Sequence, residues 1–279
     1  SGAKLVFEVH DLWPLTPIEV GGMSRWHPFI AILQWAEDFA YRRASRVVSI
    51  LPKADDYMRQ RGMAPEKFVH IPNGVDLSEW RQTPESLPEE HRAVIEREKS
   101  AGRFLVGYAG AHGICNALPV IVQAARQLET APVTFLIVGE GPEKENLKHA
   151  AAGLGNVVLL PAVPKPAIPA LLANLDALYI GLARQSLFRF GVSPNKLFDY
   201  MMAARPVIYA IDSGNDPVGE SGCGISCGAE DPSAVAAAVM RLKACSPSER
   251  LAMGRRGRDY VATHHEYRIL ANRFLEVLA

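Results

Sequence analysis

The sequence predicts an α/β protein built on a doubly wound parallel sheet with helices on both faces. Short apolar runs rich in β-branched residues alternate with helical stretches from residue 4 to residue 278. Residues 81–103 break this alternation: they are polar and proline-containing, then heavily charged, and read as a linker with a solvated helix between two units. The stretch 193–210, Ser-Pro-Asn-Lys-Leu-Phe-Asp-Tyr-Met-Met-Ala-Ala-Arg-Pro-Val-Ile-Tyr-Ala, condenses the pattern into a helix start, a short helix, a stop and a buried strand.

The first unit, 1–80, opens with a buried strand over 4–9. His10 and Asp11 follow its carboxyl end, where open α/β sheets place ligands; a loop histidine capping backbone is the alternative. Residues 24–44 form a long helix in which Trp26, Ile30, Leu33, Phe39 and Tyr41 are interleaved with polar residues. Its aromatic content fits a membrane-surface helix, but Glu37 and Asp38 favour packing against a sheet. Strands are expected over 46–51 and 68–71, with a helix over 53–61 between them. The Asn73-Gly74 turn closes the unit. A strand followed by a polar loop is an unusual way for such a domain to begin, so this unit reads as the remaining part of a larger one.

The second unit, 104–262, starts with a strand over 104–109, the turn Gly110-Ala111-His112-Gly113, and a helix over 117–128. Bare backbone in such a turn lets N–H groups approach an anion; a tight connection with no ligand remains the other reading. The spacing of Gly107, Gly110 and Gly113 is not the dinucleotide fingerprint, which disfavours a nicotinamide enzyme. Strands follow over 133–138, 156–160 and 177–182, with a helix over 168–174. The loop 184–191 is rich in groups that suit an anion. Ser193 is expected as an N-cap with Pro194 at the first helical position, and Leu197, Met201 and Ala204 as the inward face. Lys196 opposes the helix dipole in the first turn. Either an anion sits there, or the lysine is solvated and pairs with Asp199. Helices over 233–244 and 248–263 follow, and the last helix, within 263–279, returns towards the first unit.

Composition excludes several classes. With 30 basic and 30 acidic side chains the formal net charge is zero, which gives no case for a nucleic-acid partner. No apolar run approaches the ~18 residues of a spanning helix. Cys115, Cys223, Cys227 and Cys245 have neither metal-ligand nor disulfide-framework spacing, which predicts reduced thiols in a cytoplasmic protein.

Five motifs in order carry a resemblance: His10-Asp11; Pro72-Asn73-Gly74-Val75-Asp76; Gly107-Tyr108-Ala109-Gly110; Val138-Gly139-Glu140-Gly141-Pro142; and Ser193-Pro194-Asn195-Lys196. Together they resemble the family-four retaining glycosyltransferases of GT-B fold, in particular bacterial enzymes of lipopolysaccharide O-antigen and capsule synthesis. The resemblance implies a complete C-terminal Rossmann-like donor domain and a partial N-terminal Rossmann-like domain facing it across a cleft. It implies a UDP-sugar donor, with an N-acetylated hexose moved to a lipid-linked glycan acceptor with retention, and peripheral contact with the cytoplasmic face of the inner membrane. It implies no cofactor and no metal; backbone donors and cations neutralise the diphosphate.

By position, the resemblance assigns Gly110, His112, Gly113, Arg184, Ser193, Asn195 and Lys196 to the diphosphate. Asp199 matches the second acid of a Glu-x7-Glu motif and falls to the ribose. Val163, Gly139 and Gly141 fall to the nucleobase, and His10 to the donor sugar as the catalytic-side histidine. The first acid of that motif falls on Gly191, and Ala111 and Asn116 or Ala117 stand where the family often carries Arg and Lys. The family also carries about half a domain more before residue 4, so this chain is expected to bind donor and to transfer sugar poorly or not at all. A nucleotide-sugar epimerase of the same fold and a non-catalytic nucleotide-sugar binding fragment are the other readings.

Overall fold

The computed structural model describes residues 3–279. In chain order the elements are β1 (Val6–Val9), α1 (Leu15–Glu19), α2 (Pro28–Arg43), β2 (Arg46–Ser49), α3 (Asp55–Gln60), β3 (Phe68–His70), α4 (Glu89–Ser100), β4 (Phe104–Ala109), α5 (Pro119–Gln127), β5 (Val133–Val138), α6 (Lys144–Ala150), β6 (Val157–Leu160), α7 (Ile168–Ala173), β7 (Ala177–Gly181), α8 (Asn195–Met202), β8 (Val207–Ala210), α9 (Pro217–Ser221), β9 (Gly224–Cys227), α10 (Pro232–Ala244), α11 (Pro247–His264) and α12 (Tyr267–Leu278).

Two parallel sheets result. The first runs β1-β2-β3 and the second β6-β5-β4-β7-β8-β9. In the second, chain order starts at β4, moves out one way to β6, then returns to β7 and moves out the other way. The connections therefore diverge between β4 and β7, and the crevice above their carboxyl ends is where such sheets take ligands. β4, β5 and β7 are buried along their whole length, as strands covered on both faces must be.

Four ties join the two units. The α12 residues Leu270 and Val277 pack on Val48 and Ile71 of the first sheet, so the last helix returns to it. Val75 and Glu266 form a β-bridge at the crossover. Arg189 grips Glu19 of α1 with two N–H donors at 2.8 Å, which holds that carboxyl below its usual range. Asn73 donates from its backbone N–H to Ser193 Oγ at 2.9 Å and from Nδ2 to the Ser193 carbonyl at 2.6 Å.

Three local expectations change. The charged helix in 81–103 is not simply solvated: His91, Ile95 and Glu98 of α4 are buried, and Ile95 joins the core beneath β4 and β7. Glu98 is satisfied there, accepting from Thr134 Oγ1 at 2.7 Å and pairing with Arg97. Charge counting missed an inward face only three residues wide. Ser193 is not a helix cap: Pro194 occupies the N-cap position, and the serine hydroxyl is spent on Asn73. In α2, Ile30, Glu37 and Tyr41 face inward, whereas Phe29, Ile32, Trp35 and Phe39 are exposed, as is Trp26 just before the helix, at 92%. The two acids of this helix are held by the protein itself. Glu37 accepts from Tyr41 and Tyr57, and Asp38 takes two hydrogen bonds from Arg61.

Ile95→Ala should lower unfolding stability by about 2–4 kcal/mol in urea titration, the cost of truncating a core side chain. A change below about 0.5 kcal/mol would return α4 to a solvated linker role.

Candidate functional site

The site is assembled where β4, β7 and α8 converge. Leu197, Phe198, Tyr200, Met201 and Met202 anchor α8 in the core. Tyr200 Oη accepts from the Ala109 N–H at 2.7 Å and returns a bond to the Ala109 carbonyl at 3.0 Å, so α8 is pinned to the carboxyl end of β4. The start of α8 is thereby held beside the 110–113 turn.

Lys196 is the centre of this contact. Its Nζ lies 2.7 Å from Tyr108 Oη and 2.7 Å from Asn116 Oδ1, and 4.7 Å from the Tyr108 ring centre. Both polar partners are neutral, and no Asp199 pairing is made, so the solvated-pair reading of Lys196 fails. Burial pushes the ammonium pKa down to about 8. The departure from 10.5 corresponds to roughly 3 kcal/mol of unfavourable charge burial. The sign follows: charged Lys196 weighs against the fold below about pH 8, and that penalty fades between 8 and 10.5. Two of its three donors are committed, which leaves one for a ligand.

The turn is stiffened from below. Tyr108 Oη and Asn116 Nδ2 both donate to the Ala111 carbonyl, at 2.7 and 3.0 Å. The Gly110 and His112 N–H groups bond to the Val138 and Glu140 carbonyls, at 3.0 and 2.7 Å. The N–H groups of Ala111 and Gly113 have no acceptor among the described residues. Gly139, at φ +151°, makes this packing possible: a Cβ there would lie 1.9 Å from the Gly110 carbonyl oxygen.

The residues assigned by resemblance separate into groups. Gly110, Asn195 and Lys196 share one locus: a Cβ on Gly110 would meet Lys196 Nζ at 3.2 Å, and Asn195 opens α8 with an exposed side chain. Gly113 stands at the foot of the same turn. His112 does not offer a charge. It is fully buried, neither ring nitrogen has a partner, and burial pushes its pKa down. Arg184 is exposed and committed elsewhere, to Asp212 at 2.9 Å and the Ala229 carbonyl at 2.9 Å. Ser193 faces the hinge through its hydroxyl, as described. Gly141 packs on His112 rather than on open space.

Gly139, Gly110 and Val163 line a pocket of about 290 Å³ together with Glu140 and Ile168. Ile168 is shared with a second pocket of about 250 Å³ that contains Asp199, Trp80 and Lys165. Asp199 accepts no hydrogen bond from the described residues, and burial pushes its pKa up to about 6. An unsatisfied carboxylate of this kind suits two neighbouring hydroxyls. Trp80 and the Lys165–Glu79 ion pair at 3.0 Å escaped the sequence reading because they meet Asp199 from distant parts of the chain. Tyr108 and Asn116 were missed as well, since nothing in a strand or a 3-10 turn marks a side chain that will grip a distant lysine.

His10 lies across the cleft, in a pocket of about 390 Å³ that it lines with Asp11, Cys115, Gly191 and Ser193. It is exposed and 2.8 Å from Glu8. Gly191 explains its own missing acid: at φ +95°, a Cβ would lie 2.5 Å from Pro52 Cδ of the first unit. Among the described residues no group of three His, Cys, Asp or Glu side chains is arranged to hold a metal ion.

The family model described as Glycosyl transferases group 1 matches residues 102–244, and that described as Glycosyltransferase Family 4 matches residues 1–79. The chain is 25% identical over 245 residues to "Probable glycosyltransferase WbjE" of Pseudomonas aeruginosa, covering 84% of this chain and 58% of that protein. It is 28% identical over 194 residues to 2-deoxystreptamine N-acetyl-D-glucosaminyltransferase of Streptomyces fradiae, covering 66% of this chain and 44% of that enzyme. The chain thus spans about half the length of these relatives. Among solved structures, Anabaena HepE in complex with UDP-glucose superposes with a TM-score of 0.71 at 18% identity, over 99% of this chain and 72% of that one. The fold is therefore GT-B, with two Rossmann-like domains.

Lys196 should titrate near pH 8 when its Nζ is followed by NMR of the labelled side chain. A bound anion should raise that value, so affinity for a diphosphate should fall as pH rises through 8. A midpoint near the ordinary 10.5 would show that the ammonium is solvated.

Proposed function

This chain belongs to the group 1 glycosyl transferases, and on that premise we propose that it binds a UDP-sugar and moves the sugar to a lipid-linked acceptor, with retention of configuration. The observation that carries the reading is Lys196, a half-buried ammonium with two neutral partners and a free donor at the mouth of α8. A diphosphate is the group that best relieves it. The Ala111 and Gly113 N–H groups have no acceptor among the described residues, and the start of α8 adds the positive end of its dipole. These donors act on the charge that grows on the diphosphate as the glycosidic C–O bond breaks, without a metal ion.

In this reading Asp199 accepts from the ribose hydroxyls, and the Val163 pocket takes the uracil. Asp199 titrates near 6, so ribose binding weakens as the carboxyl protonates below that pH. His10 stands on the far wall, where the sugar of a bound donor would reach. The UDP-glucose complex of Anabaena HepE, with the same fold, supports a UDP-sugar donor. The N-acetylglucosaminyl transfer named for the Streptomyces relative supports an N-acetylated hexose.

The lipid-linked acceptor, and a role in cell-surface polysaccharide or lipopolysaccharide synthesis at the cytoplasmic face of the inner membrane, draw support from α2. Its exposed apolar side chains are flanked by Arg25, Arg42 and Arg43, and Arg43 lies 5.7 Å from the Phe39 ring centre. Aromatic and basic side chains on one helix face suit an anionic lipid surface.

Calorimetry with a UDP-sugar panel tests the donor. Lys196→Ala should weaken UDP binding by about 1.5–3 kcal/mol, the value of a hydrogen bond to a charged group. If no UDP-sugar binds, the reading is wrong; release of a free epimer without acceptor would point to an epimerase. Sedimentation with anionic vesicles tests the surface. Replacing Trp26 and Trp35 by Ser should reduce vesicle binding by roughly tenfold or more, given the area an aromatic ring buries. Equal binding by the variant would remove α2 from the membrane.

A further inference from the structure

Behind the donor cleft, at the junction of the two domains, lies a separate cavity of about 480 Å³. Its charged lining comes from both sides. Lys53 follows β2, His70 ends β3, Arg273 lies on α12, and His264 and His265 occupy the crossover between α11 and α12. Glu220 of α9 is the one carboxylate in the lining. It accepts from Tyr260 Oη at 3.0 Å, on the wall of the second domain.

The cations are not neutralised within the chain. Lys53 and Arg273 have no ion-pair partner among the described residues; Arg273 spends one N–H on the His70 carbonyl at 2.5 Å. His265 donates from Nδ1 to the Asn73 carbonyl at 3.0 Å. His70 Nε2 is buried with no partner. Burial is the main cause that pushes His70 down to about 4, and Arg273 and His265 push in the same direction. His70 and His265 thus sit beside cations, with Glu220 the carboxylate that acts against them at His265. Cations without an ion-pair partner around a polar cavity, with Thr263, His264 and Asn215 among the lining of the opposite wall, suit an anion that makes charge-assisted hydrogen bonds.

The cavity is also coupled to the donor site. His265 stacks on Phe198 at 4.1 Å between ring centres, and Phe198 lies on α8 between Lys196 and Asp199. Val192 and Ser193 line both this cavity and the cleft that holds His10. We infer that the hinge cavity binds a small anion of the phosphate or diphosphate class, gripped by Lys53 and Arg273, and that its occupancy fixes the setting of the two domains around the donor site. This site is independent of the UDP-sugar reading, since Lys196 takes no part in it.

Inorganic pyrophosphate is the probe, measured by calorimetry on the full chain, with glucose 1-phosphate beside it to separate a free phosphate from a sugar-linked one. Lys196→Ala, which disables the donor diphosphate contact, should leave pyrophosphate binding at the hinge intact. Lys53→Met should weaken that binding at least tenfold, and Arg273→Met likewise, while UDP still binds when the hinge is empty. Lys53 is exposed and tests the site without disturbing the His70 contact of Arg273. Loss of all pyrophosphate binding in Lys196→Ala, or unchanged binding in Lys53→Met with the thermal midpoint preserved, would overturn the inference. UDP binding that Lys196→Ala leaves untouched would count against the donor reading alone.

Discussion

A single ammonium sets the terms for the donor domain. Lys196 is drawn out of water by α8, whose inward face must bury Leu197, Phe198 and Met201, and it finds neutral oxygens rather than a carboxylate. A carboxylate partner would satisfy the lysine and cancel its field. Tyr108 and Asn116 hold it in place and leave the charge available. The same two side chains also close on the Ala111 carbonyl, so the turn that presents free N–H groups and the cation beside it are positioned by one hydrogen-bonded set. Neither can shift without the other.

That set needs close backbone approach. The 110–113 turn is stacked on the 139–141 turn with no room for a side chain at Gly139, and His112 fills the space beneath. The histidine was read as a possible charge for the ligand; buried with both nitrogens unpartnered, it acts as a neutral filler instead. Arg184 is likewise removed, since it is committed to the Asp212 carboxylate and the Ala229 carbonyl. Positive charge without a carboxylate partner at the mouth of α8 thus comes from Lys196 and from backbone dipoles.

The two domains are held by contacts of different kinds. Arg189 and Glu19 form a bidentate pair at one edge, Asn73 donates two hydrogen bonds to Ser193 in the middle, and α12 supplies apolar burial at the back. Gly191 lies against Pro52, which leaves no space for the acid that related sequences place there. Between these ties remains the hinge cavity, where cations from the first domain face the second without a partner.

The sequence by itself determined the alternating parallel architecture, the strands of the second sheet and the importance of the 193–210 stretch. Those follow from local signals: apolar runs, glycine turns and a proline stop, all read within a few residues. Lys196 stood out because a cation in a first helical turn is locally unfavourable. Its partners were not legible, because Tyr108 and Asn116 lie 88 and 80 residues away and meet it only once β4 and α8 are adjacent. The same reason hid the roles of Trp80 and Lys165 around Asp199, the buried face of α4 and the outward aromatics of α2. Periodicity tells which residues share a face; only the packed chain decides which face is covered.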